Sequence, residues 1–140
     1  MIDELYQEVI LDHSKSPRNF GVLDQYTCTA EGNNPMCGDQ LTVYVDIKDD
    51  IVSDVSFRAR GCAISVASAS IMTDIIKGKT IVDVNILFDK FHKLCMGDEV
   101  EDDDDIERLR ALSGVSKFPT RVKCATMSWH AVREAVDNTE

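Results

Sequence analysis

Cys37, Asp39, Cys62 and Cys124 are the residues whose types and contexts could do chemistry: three thiols and one carboxylate that together would make four ligands. Their strings are Asn34-Pro35-Met36-Cys37-Gly38-Asp39, Gly61-Cys62-Ala63-Ile64-Ser65 and Arg121-Val122-Lys123-Cys124-Ala125-Thr126, each placing a thiol where an element begins or a turn ends. Gly38 frees the backbone between Cys37 and Asp39, so one turn can offer a thiolate and a carboxylate at the same point. Cys62 follows Gly61 and opens a helical pattern, and a helix N-terminus favours the thiolate. Arg121 and Lys123 are cations beside Cys124 that favour its ionised form. Thiolates suit zinc and iron–sulfur clusters alike, so the donor set does not choose between them. A carboxylate among thiolates is a harder, more exchangeable ligand, which points to a labile site rather than a permanent cluster.

The remaining candidates read as structural. Cys28 lies in a strand pattern and Cys95 follows Phe88 and Phe91, neither with a glycine turn or a cationic neighbour, so both are expected to pack as small hydrophobes or sit at the surface. His13 and His130 are expected to pack or hydrogen-bond, His92 to be solvated, and Trp129 to fill the core without a chemical role. A Cys62–His130 hydrolase lacks an orienting residue and an oxyanion hole. The run from Asp98 to Asp105 lacks the glycine and the ligand spacing of an EF-hand loop, so it is expected to be a solvated link that feeds a helix N-terminus.

The elements that must position these residues follow from periodicity. Ile2, Leu5, Tyr6, Val9, Ile10 and His13 recur at helical spacing until Ser16-Pro17-Arg18-Asn19 stops the helix. Leu41, Val43, Val45 and Ile47 alternate with polar residues, and Ile51, Val55, Phe57 and Ala59 repeat the period after Asp49-Asp50, an antiparallel hairpin with a shorter strand at 27–30 beside it. A residue before one strand and a residue after its antiparallel partner share a sheet edge, which makes Cys37 and Cys62 expected neighbours. Ile64, Ala67, Ile71 and Ile75 form a helical stripe capped at Gly78, and Thr80 caps a helix that runs to His92. A short helix from Ile106 to Leu112 is expected to close at Gly114, and Pro119 to open a last helix running to Val136. Strands grouped early and helices late predict an α+β fold, a small antiparallel sheet of about three strands covered on one face by several helices.

With 140 residues at 44% hydrophobic content, the chain is expected to form one domain over residues 1–140. A net charge of −10 argues against nucleic acid or anionic membrane as a partner. The acidic start, the lack of any membrane-length apolar run and an odd, widely spaced set of five cysteines predict a soluble cytoplasmic protein with reduced thiols.

The three cysteine strings, Ser16-Pro17-Arg18-Asn19 and Ser128-Trp129-His130, taken in order, resemble the U-type iron–sulfur cluster assembly proteins, the IscU and NifU N-terminal family, and within it the SufU-type branch. Lys123 stands where IscU proteins carry a histidine, Phe118-Pro119-Thr120-Arg121-Val122-Lys123 stands where they carry the Leu-Pro-Pro-Val-Lys chaperone motif, and the Cys62–Cys124 interval is longer. The resemblance implies that Cys37, Asp39, Cys62 and Cys124 bind zinc or an assembling [2Fe-2S] cluster. It also implies docking on a pyridoxal-phosphate cysteine desulfurase within a SUF system, with delivery to downstream apo iron–sulfur proteins or carriers. In the SufU-type branch the residue matching Cys37 accepts persulfide sulfur, and in IscU-type proteins the one matching Cys124 does. Three readings follow: a zinc-dependent sulfurtransferase with Cys37 as its catalytic residue, a non-enzymatic scaffold that builds and transfers a [2Fe-2S] cluster, and a purely structural zinc domain.

Overall fold

The computed structural model describes residues 4–35 and 38–137. Helix α1 (Glu4–Lys15) is followed by strands β1 (Cys28–Asn34), β2 (Asp39–Lys48) and β3 (Ile51–Arg60). Helices α2 (Ala63–Ile76), α3 (Ile81–Cys95) and α4 (Asp104–Leu109), a 3-10 helix (Arg110–Lys117) and α5 (Pro119–Asp137) complete the chain. The strands form one antiparallel sheet in the order β1-β2-β3, which is the expected α+β architecture.

The β2–β3 hairpin turns on Asp49 and Asp50, both at positive φ, a geometry that matches the right-handed twist of the flanking strands and that aspartate tolerates better than most residues. Val43 pairs with Phe57 and Val45 with Val55, and all four side chains are buried. Helix α2 crosses this apolar face with a run of small residues, Ser65, Ala67, Ser68, Ala69 and Ser70, that lets α1 and α5 approach closely. Helix α5 lies against β1, β2 and α2, and its Trp129 packs on Phe91 of α3 with ring centroids 4.6 Å apart.

Strand β1 runs to Asn34, four residues beyond the expected end, through a Gly-Asn-Asn string of low strand propensity. Gly32 explains the extension, because a Cβ there would lie 2.8 Å from Met127 Cγ and 3.0 Å from Leu41 Cδ2. The strand continues because α5 can settle on a position without a side chain. The short late helix also differs from expectation: α4 ends at Leu109, and the 3-10 helix passes through Gly114 to Lys117. The stop is set by Pro119, which drives Phe118 into extended geometry. At the N-terminus Ile10 and His13 are buried as the stripe predicts, while Ile2 lies outside the described residues. Gly78 takes the positive φ expected just after α2, and Thr80 caps α3 by accepting from the Asp83 N–H. Among the described residues, no helix is long and apolar enough to cross a membrane.

Candidate metal centre

Asp39 opens β2, and Asn34 closes β1 directly opposite it in register. Gln40 pairs with Arg60, so the first residues beyond β3, Gly61 and Cys62, fall at the same sheet edge as Asp39. Cys62 is the N-cap of α2, with extended backbone geometry, and Cys124 enters from the second turn of α5. One potential ligand atom from each of Asp39, Cys62 and Cys124 lies within 4.8 Å of the other two.

The Asp39 carboxylate organises the group. Its Oδ1 accepts the backbone N–H of Cys62 at 2.8 Å, while Oδ2 lies 3.0 Å from Cys124 Sγ and 3.5 Å from Cys62 Sγ. Asn34 Nδ2 donates to Cys124 Sγ at 3.6 Å. Asp39 is fully buried and Cys124 almost so, whereas Cys62 is half-buried. Gly61, at φ +154°, is what admits the carboxylate: an added Cβ would overlap Oδ1 and stand 2.7 Å from Cγ. Among the described residues no cationic side chain pairs with Asp39. A buried carboxylate beside two thiols, with no side-chain cation, is an environment that costs several kcal/mol unless a positive charge enters it.

That positive charge fits a divalent metal. A tetrahedral zinc with bonds of about 2.3 Å to sulfur and about 2.0 Å to oxygen spaces a thiolate and a carboxylate oxygen by roughly 3.5 Å. The observed sulfur–oxygen separations of 3.5 and 3.0 Å lie at and just inside that spacing. Cys37, the expected fourth ligand, lies outside the described residues, two positions before Asp39 in the chain. Gly38 between them takes φ +73°, a left-handed conformation that glycine adopts without cost.

An open, largely apolar cleft of about 730 Å³ leads to Cys62 and Cys124, walled by Ile10 and Leu11 of α1, Ile64 of α2 and residues 117–121. Arg121 lies over the Phe118 ring at 4.8 Å, and both residues are exposed at the cleft. The sequence motif therefore places Arg121 at the mouth of the site.

The residues set aside on sequence grounds have structural partners. Cys28 is buried with its thiol 3.6 Å from the Val45 carbonyl, and burial pushes the fully enclosed Cys95 thiol up to about 12. His13 Nδ1 meets Ser70 Oγ at 2.7 Å, and Ser70 Oγ also accepts the Arg18 N–H, which pins the Ser16-Pro17-Arg18-Asn19 turn to α2. Burial, and then the Arg18 charge, push the His13 imidazole down. His92 and His130 are exposed, with His130 edge-on to Phe88. Asp103 of the acidic run caps α4 by accepting from the Ile106 N–H, while Asp102, Asp103 and Asp105 pair with Arg110, Lys90 and Lys79. Two participants escaped the sequence reading: the Asn34 amide and the steric role of Gly61. Only the hairpin register, which sets Asn34 against Asp39 and brings Gly61 to the same edge, reveals them.

The model of the NifU-like N-terminal domain matches residues 5–125. The chain belongs to this family. It is 45% identical over 139 residues to the zinc-dependent sulfurtransferase SufU of Bacillus subtilis, covering 99% of this chain and 94% of the relative. It is 38% identical to the iron–sulfur cluster assembly scaffold protein IscU of Streptococcus pyogenes, covering 96% and 84% of the two chains. The crystal structure of a putative SUF-system scaffold from Fervidobacterium islandicum superposes with TM-score 0.86 at 32% identity, over 92% of this chain and 94% of that one. The N-terminal domain of a NifU-like protein from Brucella abortus shares the fold at TM-score 0.89 and 21% identity, over 99% and 96% of the chains.

Proposed function

We propose that this family member is a SufU-like iron–sulfur assembly protein that accepts sulfur from a pyridoxal-phosphate cysteine desulfurase at a zinc site formed by Cys37, Asp39, Cys62 and Cys124. The observation that carries the reading is the buried Asp39 carboxylate, which among the described residues meets two thiols and a backbone N–H and no side-chain cation. Its similarity to a zinc-dependent sulfurtransferase supports zinc as the occupant. Bound zinc supplies the charge that offsets the converging anions and keeps the thiols deprotonated. The Cys62 N–H holds Asp39 Oδ1, which leaves Oδ2, beside both sulfurs, as the oxygen that would face a bound metal, and a carboxylate there would be a harder, more exchangeable ligand than a thiolate. The Cys37 thiolate would attack the outer sulfur of the donor's persulfide. A sulfur–sulfur bond forms at Cys37, the donor's own sulfur–sulfur bond breaks, and the donor cysteine leaves as a thiolate. The apolar cleft beside Cys62 and Cys124 gives the donor segment a place to approach from. Sulfur then passes to downstream apo iron–sulfur proteins or carriers, in the cytoplasm.

Zinc should copurify at one equivalent per chain, and Cys37→Ser should abolish stimulation of desulfurase turnover while the protein stays folded. Undiminished stimulation by that variant sinks the sulfur-acceptor reading. The similarity to IscU relatives supports a second reading, a scaffold that assembles and transfers a [2Fe-2S] cluster. It predicts that anaerobic reconstitution with iron and sulfide yields a cluster that moves to an apo-ferredoxin; with no transfer, it fails.

A further inference from the structure

The two described thiols of the site differ in what surrounds them. Cys124 Sγ lies deep, 2% exposed, and accepts the Asn34 amide at 3.6 Å. Cys62 Sγ is half-buried at the cleft, and among the described residues no side-chain N–H reaches it. Asn34 itself is 5% exposed and is the last residue of β1, paired with Asp39, so its side chain hangs from the same rigid edge that carries the carboxylate. The connection that contains Cys37 begins at the very next residue.

An N–H donated to a thiolate draws charge from its lone pairs and weakens it as a nucleophile, while fixing where the sulfur points. We propose that Asn34 is a positioning residue that holds Cys124 as the retained ligand of the site and thereby directs incoming sulfur to the site's other thiols. The idea rests on the sulfur-acceptor reading and adds to it a cause for the choice between thiols. Asn34 closes β1 opposite Asp39, so the amide and the carboxylate hold Cys124 from one strand edge. The donor is well oriented for this in both protonation states of the site. A Cys124 S–H donates to Asp39 Oδ2 while its sulfur accepts from Asn34, and a Cys124 thiolate keeps the second contact unchanged.

The test is site-resolved alkylation of the full-length chain with iodoacetamide, read by mass spectrometry at each cysteine while a chromophoric chelator withdraws zinc. In the wild type Cys124 should be modified more slowly than Cys62. Asn34→Leu keeps the branched shape and removes the donor, and Asn34→Ala is the second variant should the bulkier Leu impair folding. Both should speed modification of Cys124 about tenfold, in the range expected for loss of an outer-shell hydrogen bond, with the Cys62 rate unchanged. A packing role would accelerate both thiols together, and that result, like an unaltered Cys124 rate, overturns the proposal. Wild-type protein that binds no zinc would overturn the site reading instead. The Cys124-to-Cys62 rate ratio in metal-free protein would still decide the role of Asn34, because the amide–sulfur contact needs no metal.

Discussion

Gly61→Ala isolates the geometry on which the site depends. The methyl group would stand where Asp39 Oδ1 now lies, 2.7 Å from Cγ and 3.0 Å from the Asp39 Cα, so the carboxylate must swing away. Swinging away breaks the 2.8 Å bond from the Cys62 N–H, a charge-assisted contact worth about 1.5–3 kcal/mol. The φ of +154° adds backbone strain of about 1–3 kcal/mol for any residue with a Cβ. Together these predict a loss of roughly 2.5–6 kcal/mol in urea denaturation of the metal-free protein, and at least tenfold weaker zinc binding in chelator competition. Gly78→Ala is the control, because its φ is +90° and nothing lies within 4 Å of the new methyl, leaving strain alone at about 1–2 kcal/mol. The decisive measurement is the double-mutant cycle with Asp39→Ala. Once the carboxylate is gone, Gly61→Ala should cost only its strain, giving a coupling energy of about 1.5–3 kcal/mol. A cycle that closes additively to within about 0.5 kcal/mol would show that Gly61 does not position Asp39, and the reasoning would be wrong.

Asp39→Asn keeps an oxygen for the Cys62 N–H and removes the charge, so it should lower zinc affinity at least tenfold while raising metal-free stability by about 1 kcal/mol or more. Denaturation with and without zinc reads both signs, and a fall in both would mean that the carboxylate stabilises the empty fold. Native metal-free protein treated with iodoacetamide at pH 8 should label Cys62 but spare Cys28 and Cys95, whose burial raises both thiols, Cys95 to about 12; early labelling of Cys95 would contradict its placement. The folded His13 imidazole lies below its ordinary value of 6.5, so the unfolded chain takes up the proton first. Its stability contribution is complete above about pH 6.5 and is lost as the pH falls from there toward the folded value. His13→Gln should flatten that part of a pH–stability profile measured by thermal melting, and an unchanged slope would remove His13 as its source.

The parts of this site that were legible from sequence are those that local rules determine. Alternation over 41–47, echoed by Ile51, Val55, Phe57 and Ala59, predicts the hairpin, although a register shift at Asp46/Ile47 leaves Ile51 exposed and buries Val52 instead. The hairpin alone brings the start of β2 and the end of β3 to one edge, where Asp39 and Cys62 meet. Cys124 arrives by a different route. It lies 85 positions from Asp39, and its approach depends on α5 settling against β1 at Gly32, a contact that no period or motif announces. The same gap hid the length of β1, since Gly-Asn-Asn has poor strand propensity and gains its place from the partner strand and the helix above it. Asn34 and Gly61 are the consequence. Each acts on a residue distant in sequence, one by donating to Cys124 and the other by leaving room for Asp39. The ligand types can be read from the chain, but how firmly each is held comes from a strand end and an absent side chain. The order in which the ligands let go should therefore track these two positions as much as the cysteines themselves.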